Sequence, residues 1–363
     1  MTQLLAEGTV KTPPASRAVA LAVSLATPGL TALRGFFMPK NGDTATPPGS
    51  PWPHTSGPRP LRLVPPALMP SRLLPALRSY SGVRHRESRS GPGPATLGRI
   101  GALEVRLATT AADVRRAQRL RYDVFYEEMS ATPAPAMRLA RRDVDAFDGI
   151  CDHLLVLDHE SCRMVRGRRV PRVVGTYRLL RQDIANRHGG FYTAGEFDIA
   201  PLLARHPNRR FLELGRSCVL AGYRNKRTVE LLWHGIWAYV RRHRIDVMFG
   251  CASLEGVDPQ ALAGPLAFLH HFAPTDPEWS ADAWPQNATR MDLATVEALD
   301  AKTALAALPP LIKGYLRLGA QIGRGAVVDR QFGTTDVLIV LPVEKINPRY
   351  VEHFGVNGER HAA

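Results

Sequence analysis

The chain has too few cysteines, and too widely spaced, to be built around disulfides or zinc. Cys151, Cys162, Cys218 and Cys251 form no CxxC pair, so neither a disulfide framework nor a zinc site is expected, and a reducing cytoplasm fits. Long apolar runs are missing as well. Ala18 to Ala32 is apolar but short and broken by Pro28, which excludes a bilayer span. Glu7 and the weak charge ahead of that stretch argue against a signal peptide, and a start codon placed too far upstream explains it equally well. No GxGxxG opens a helix, which removes a dinucleotide fold, and no HExxH or EF-hand spacing marks a metal site. Acids are the scarce charge: 33 Asp+Glu against 47 Lys+Arg, a net of +14. A basic body implies an anionic partner, either nucleic acid, a membrane surface or an acidic carrier protein. Basic residues do not interleave with aromatics, which removes nucleic acid.

The hydrophobic content, 45%, is that of an ordinary globular chain with ample core. It is unevenly distributed. Residues 1–95 hold 16 of the 30 prolines, and their eleven Lys/Arg against three Asp/Glu account for +8 of the net charge. Such a composition cannot bury enough apolar surface to offset its ordering entropy, so a disordered basic leader is expected there. Residues 96–355 are expected to form one domain.

Within that domain the pattern predicts strands at 102–108, 153–157, 173–180, 211–220, 247–252 and 336–343. Helices are expected over 110–128, 229–244, 259–272 and 304–322, and a loop-rich stretch with short helical turns over 182–208. This mixed order points to an α/β (α+β) fold.

Several charged residues fall on faces that should be buried. On a helix from Ala111, Arg121 and Glu128 share the stripe of Val114, Ala117, Leu120, Val124 and Phe125, with Tyr126 turned outward. Arg178 sits in a strand with Val174, Thr176 and Leu180. Asp143, Asp145 and Asp148 surround Phe147 in a loop, as a turn cap or as a cation-binding wall. Glu213 and Arg216 interrupt the strand Phe211–Leu220. Three apart, they face opposite sides unless a bulge near Gly215 brings them together. Buried charges cost several kcal/mol unless paired or used. After this strand comes a basic turn, Arg224-Asn-Lys-Arg227, and then a helix whose N-terminal amides suit a phosphate. The stripe Leu231, Leu232, Ile236, Tyr239 and Val240 reads as core, and His270-His271 as a helix end.

These residues carry a resemblance. Arg121-x-x-x-Phe125-x-x-Glu128, Asp145-x-x-Asp148, Gly175-x-x-Arg178-Leu and Glu213-x-x-Arg216 are similar to the pattern shared by acyl-homoserine-lactone synthases and their relatives in the GNAT acyltransferase superfamily. The segments Gly250-Cys-Ala-Ser253, Leu308-Pro-Pro-Leu-Ile-Lys313 and Asp329-Arg-Gln-Phe332-Gly-Thr-Thr-Asp336 resemble the bacterial L-ornithine Nα-acyltransferases more closely. The last block, within a family-specific segment of about 300–355, separates these from lactone synthases. The resemblance covers about 100–355. It implies a GNAT-like, mostly antiparallel central sheet flanked by helices, and transfer of a 3-hydroxyacyl chain from acyl carrier protein to the α-amine of L-ornithine, giving lyso-ornithine lipid.

In that reading Glu213 is the catalytic base and Arg216 its neighbour in the site. Arg121, Phe125, Glu128, Asp145, Asp148 and Arg178 bind the acceptor: an arginine holds its carboxylate, and the acids hold its side-chain ammonium. Val219, Arg224, Asn225 and Lys226 meet the phosphopantetheine, although the usual (R/Q)xxGx(G/A) signature survives only as Arg224-Asn-Lys-Arg-Thr-Val. No bound cofactor or metal is expected. Arg115, Arg116, Arg119, Arg241, Arg242 and Arg244 are expected to dock the acidic carrier or lipid headgroups, and a cytoplasmic enzyme peripheral to the inner membrane is expected. Alternatives are a lactone synthase using S-adenosylmethionine, an N-acyltransferase for another amino acid, and a hemolysin-like membrane-binding protein.

Overall fold

Strands β1 (Thr96–Ile100) and β2 (Leu103–Leu107) open a sheet that runs through most of a computed structural model describing residues 96–165, 167–347 and 350. The leader expected at 1–95 and the last expected domain residues, 351–355, lie outside the described residues. Helix α1 (Ala111–Tyr122) follows, its N-terminus capped by the Thr110 side chain, which accepts from the Asp113 amide at 3.1 Å. A long hairpin, β3 (Asp152–Val165) and β4 (Arg168–Arg181), extends well past the two short strands expected. The loop-rich stretch holds short helical turns and β5 (Phe197–Asp198). Then come β6 (Phe211–Val219), α2 (Lys226–His243), β7 (Val247–Glu255) and α3 (Ala263–Phe272). Last are β8 (Asp282–Ala283), β9 (Ala288–Thr289), α4 (Ala301–Ala307), α5 (Pro310–Leu318), β10 (Gln321–Asp329) and β11 (Thr334–Pro342).

The strand order is β1-β2-β3-β4-β6-β7-β11-β10-β8-β5, with β9 beside β10. Among the named strands only β6/β7 and β10/β8 run parallel, so the sheet is mixed and mostly antiparallel, as expected. Helix α2 packs on one face through Leu231, Leu232, Ile236, Tyr239 and Val240, all buried with Val105 and Leu154 of the sheet. Gly235 permits this approach, since a Cβ there would lie 2.6 Å from Val105.

Three expectations about elements need correction. The helix expected over 304–322 is two helices and the start of a strand. Leu308 precedes two prolines and is driven to extended backbone, and α5 stops at Gly319, which takes φ +99°. Strand β10 was not anticipated, because Gly323 and Gly325 interrupt its alternation at a register shift between Ile322 and Ala326. The helix expected to reach Glu128 turns α-helical geometry into a π turn over Asp123–Glu128. Its wider turn rotates the later side chains. Tyr126, expected outside, is therefore buried, and Glu128, expected inside, is exposed.

The two central strands β6 and β7 pair only from Phe211–Glu213 to Val247–Phe249. Beyond that point β6 bulges and stays with β4, while β7 continues along β11. Gly250 stands at the parting, where a Cβ would meet the Leu214 carbonyl oxygen at 2.3 Å. The parting opens a wedge in the middle of the sheet.

Candidate active site

A cavity of about 240 Å³ fills this wedge. One wall is β6 from Glu213 to Val219, and another is Cys251–Ser253 of β7. The π turn contributes Val124 and Phe125, the start of α5 contributes Leu311 and Tyr315, and the β10–β11 turn contributes Asp329, Phe332 and Asp336. The C-terminal block singled out in the sequence thus closes the cavity. Phe332 stands edge-on to Phe125 at 5.7 Å.

Glu213 and Arg216 both line the cavity because β6 carries the bulge anticipated between them. Gly215 pairs with Arg178 and Cys218 with Thr176, so Arg216 and Ser217 together oppose Tyr177. The residue that takes positive φ is Arg216 itself, at 50°, rather than Gly215. Glu213 is 5% exposed and accepts the backbone N–H groups of Thr193 (2.7 Å) and Tyr192 (3.2 Å). Burial pushes its carboxyl above the usual range despite those bonds. The Arg216 guanidinium lies between the rings of Tyr192 (4.9 Å) and Phe332 (4.8 Å).

Arg121, Arg178 and Arg216 meet the loop acids in a single buried network. Arg121, with no exposed surface, donates from Nε to Asp143 at 2.7 Å and from its terminal nitrogen to Asp148 at 2.8 Å. Arg178 donates to both oxygens of Asp145 at 2.6 Å and to Asp148 at 3.4 Å. Arg216 reaches Asp145 at 3.2 Å and pairs with Asp143 at 3.5 Å. Tyr126 donates its hydroxyl to Asp143 at 3.0 Å. Asp145 also caps the turn Ala146–Gly149, so the cap and the cation wall anticipated for this loop are both present, and the cations are the protein's own. Burial works against ionisation of Asp148, but the charges of Arg121 and Arg178 outweigh it and hold the carboxyl well below its ordinary range. Burial also lowers His153, a residue without any marking motif, to about 4; its Nε2 donates to the Asp148 carbonyl at 3.0 Å.

The residues expected to bind substrate therefore separate. Phe125, Arg178, Glu213, Arg216, Val219 and Arg224 line the cavity. Arg121, Asp145 and Asp148 lie behind its wall and hold Arg178 and Arg216 in place. Glu128 is engaged by Arg224, which donates to its two oxygens at 2.5 and 2.8 Å and to the Val219 carbonyl at 2.9 Å. Asn225 caps α2, accepting the Thr228 amide at 3.2 Å, and Lys226 pairs with Glu230 at 3.4 Å.

A second acidic group was not chosen as a site from the sequence. Glu196, Asp329 and Asp336 place carboxylate oxygens within 4.8 Å of one another, close enough to hold a cation. Burial, with the charge of Asp336 beside it, pushes Glu196 up to about 8, and burial pushes Asp336 up to about 6. Asp329 and Asp336 bracket the quoted C-terminal block, but Glu196 comes from a distant loop and nothing in its local sequence marks it.

Residues 120–234 match the acetyltransferase (GNAT) domain. The chain is 55% identical over 278 residues to the L-ornithine N(alpha)-acyltransferase of Rhizobium meliloti (strain 1021), covering 77% of this chain and 93% of that protein. It is 58% identical over 264 residues to the protein so named in Agrobacterium fabrum (strain C58 / ATCC 33970), covering 72% and 88%. Its identity to that of Brucella abortus (strain 2308) is 53% over 267 residues, covering 73% and 92%.

Proposed function

Because this chain belongs to the L-ornithine N(alpha)-acyltransferase family and is an acyltransferase, we propose that its cavity joins a 3-hydroxyacyl group, delivered by acyl carrier protein, to the α-amine of L-ornithine. The product is lyso-ornithine lipid. The observation that carries this reading is the placement of Glu213 and Arg216 on one wall of the wedge between β6 and β7.

The reaction forms an amide N–C bond and breaks the thioester C–S bond. An α-ammonium must first lose a proton. Glu213, buried and raised, accepts it, directly or through one water. The Arg216 guanidinium, held by Asp143 and Asp145 at the cavity wall, binds the α-carboxylate. The Val219 N–H faces the oxyanion of the tetrahedral intermediate. The carrier's thiolate leaves and takes up a proton. Holding amine and thioester together supplies much of the acceleration. No resident cofactor or metal takes part in this scheme.

The carrier would approach over a basin beside the cavity. Arg116, Arg119, Arg163 and Arg172 rim it, and its lining includes Leu220, the residue after cavity-lining Val219. The amides at the start of α2 and Lys226 lie near enough in sequence to receive the phosphate. Arg241, Arg242 and Arg244 are about 25 Å from that end, at 1.5 Å per residue along α2, and belong to another surface. No helix among the described residues is long and apolar enough to cross a membrane, and contact with the inner leaflet is proposed from the lipid nature of the product alone.

The deciding experiment is expression of the chain in a bacterium lacking ornithine lipids, followed by mass spectrometry of the lipid extract. A new species with the mass of hydroxyacyl plus ornithine is expected. An extract with hydroxyacyl linked to another amino acid, or with none, overturns the proposal.

A further inference from the structure

We propose that Glu196, Asp329 and Asp336 form the subsite for the side-chain ammonium of the acceptor, and that this subsite selects an α,ω-diamino acid. The inference rests on the reading of the chain as an ornithine acyltransferase.

The acids the sequence offered for that ammonium are already neutralised. Glu128 faces Arg224, Asp145 faces Arg178, and Asp148 faces Arg121. The triad is different. None of its members forms an ion pair with any described residue. Glu196 Oε2 has no solvent contact and no hydrogen-bond partner, a costly state unless a donor arrives. Asp336, 6% exposed, accepts the Thr334 hydroxyl at 2.9 Å, and Asp329 accepts the amides of Gln331 (2.8 Å) and Phe332 (3.0 Å), so both are held in position. The oxygens converge within 4.8 Å, and an ammonium offers three N–H donors to match three carboxylates.

The location is as informative as the chemistry. Asp329 and Asp336 line the same cavity as Glu213 and Arg216. Carboxylate, reacting amine and terminal ammonium of one acceptor would then meet Arg216, Glu213 and the triad. An amino acid without the terminal amine leaves Glu196 Oε2 buried without a donor, which is selection by penalty as well as by attraction.

The test uses the purified full chain with acyl carrier donor and two acceptors, ornithine and norvaline, which has the same chain length without the terminal amine. Wild type should favour ornithine by about 10³-fold or more in kcat/KM. E196Q and D336N should raise KM for ornithine about 10²-fold, leave KM for the donor unchanged, and shrink the preference over norvaline by the same factor. A structural role would depress both acceptors alike and keep the ratio. Should either variant fail to fold, D329N and the wild-type preference itself decide. Ornithine turnover with an unchanged ratio in the variants overturns the subsite alone. Absence of ornithine turnover in wild type overturns the functional reading and the subsite together. Turnover abolished by a chelator and restored by a divalent ion, in wild type but not in D336N, makes the triad a metal site and also overturns the proposal.

Discussion

Single side chains in this protein divide into those that hold and those that act. Arg121 has no exposure and two aspartate partners, so its work is to fix Asp143 and Asp148, which in turn fix Arg178 and Arg216. Glu213 is held by backbone amides at the cavity wall and has no arginine among the described residues hydrogen-bonded to it, as the proposed role of base requires. Glu213→Gln should reduce turnover about 10²–10⁴-fold with no loss of thermal stability; near-normal turnover would remove it from the role of base. Glu196 gives a test of electrostatic strain. Burial raises it from 4.5 to about 8, so its favourable contribution is complete below its ordinary value and is lost as the pH rises towards 8. Glu196→Gln stays neutral. Its thermal midpoint should equal that of wild type near pH 4 and exceed it increasingly up to about pH 8, and a difference that stays flat in a pH series of melts would contradict this.

At the level of elements, two local departures from regular geometry build the site. The bulge at Arg216 and Ser217 turns Arg216 to the same wall as Glu213, and the π turn at Asp123–Glu128 brings Tyr126 inward onto Asp143. The first was legible, because two charges three apart in an apolar strand ask for an extra residue. The second was not, since an i→i+5 turn uses the same residue types as an α-helix and is selected by what the side chains meet. Asn225, expected to touch the donor, is the N-cap of α2. Asn225→Ala should lower the stability of the folded chain by about 1 kcal/mol in urea unfolding. Gly250→Ala should cost more, about 1–3 kcal/mol, because its Cβ has no room beside the Leu214 carbonyl. Equal stability of either variant and wild type would mean that the backbone there relaxes.

Across the whole molecule, charge is arranged in two ways. The buried arginines are neutralised by loop acids, whereas Arg119, Arg163 and Arg172 rim an outer basin next to the cavity. An acidic carrier docking there would be screened by salt. KM for the carrier-borne donor should therefore rise with ionic strength, and the charge reversal R119E together with R172E should raise it at low salt and flatten the dependence. A KM indifferent to salt in steady-state kinetics would place docking elsewhere.

Local pattern determined much of this protein: the alternating strands, the stripe of α2, and the charges set into apolar elements that identified Glu213, Arg216 and Arg178 and the family they resemble. These are legible because a strand or helix presents its faces by short-range periodicity. Tertiary structure alone decided which charges pair with each other and which do not. Asp145 and Asp148 look like ligands in sequence and are consumed by Arg178 and Arg121; Glu196 and Asp336 come from distant strands and loops and meet without an ion pair to any described residue. Pairing depends on distances of a few ångströms between residues far apart in the chain, and only the closed sheet sets those distances.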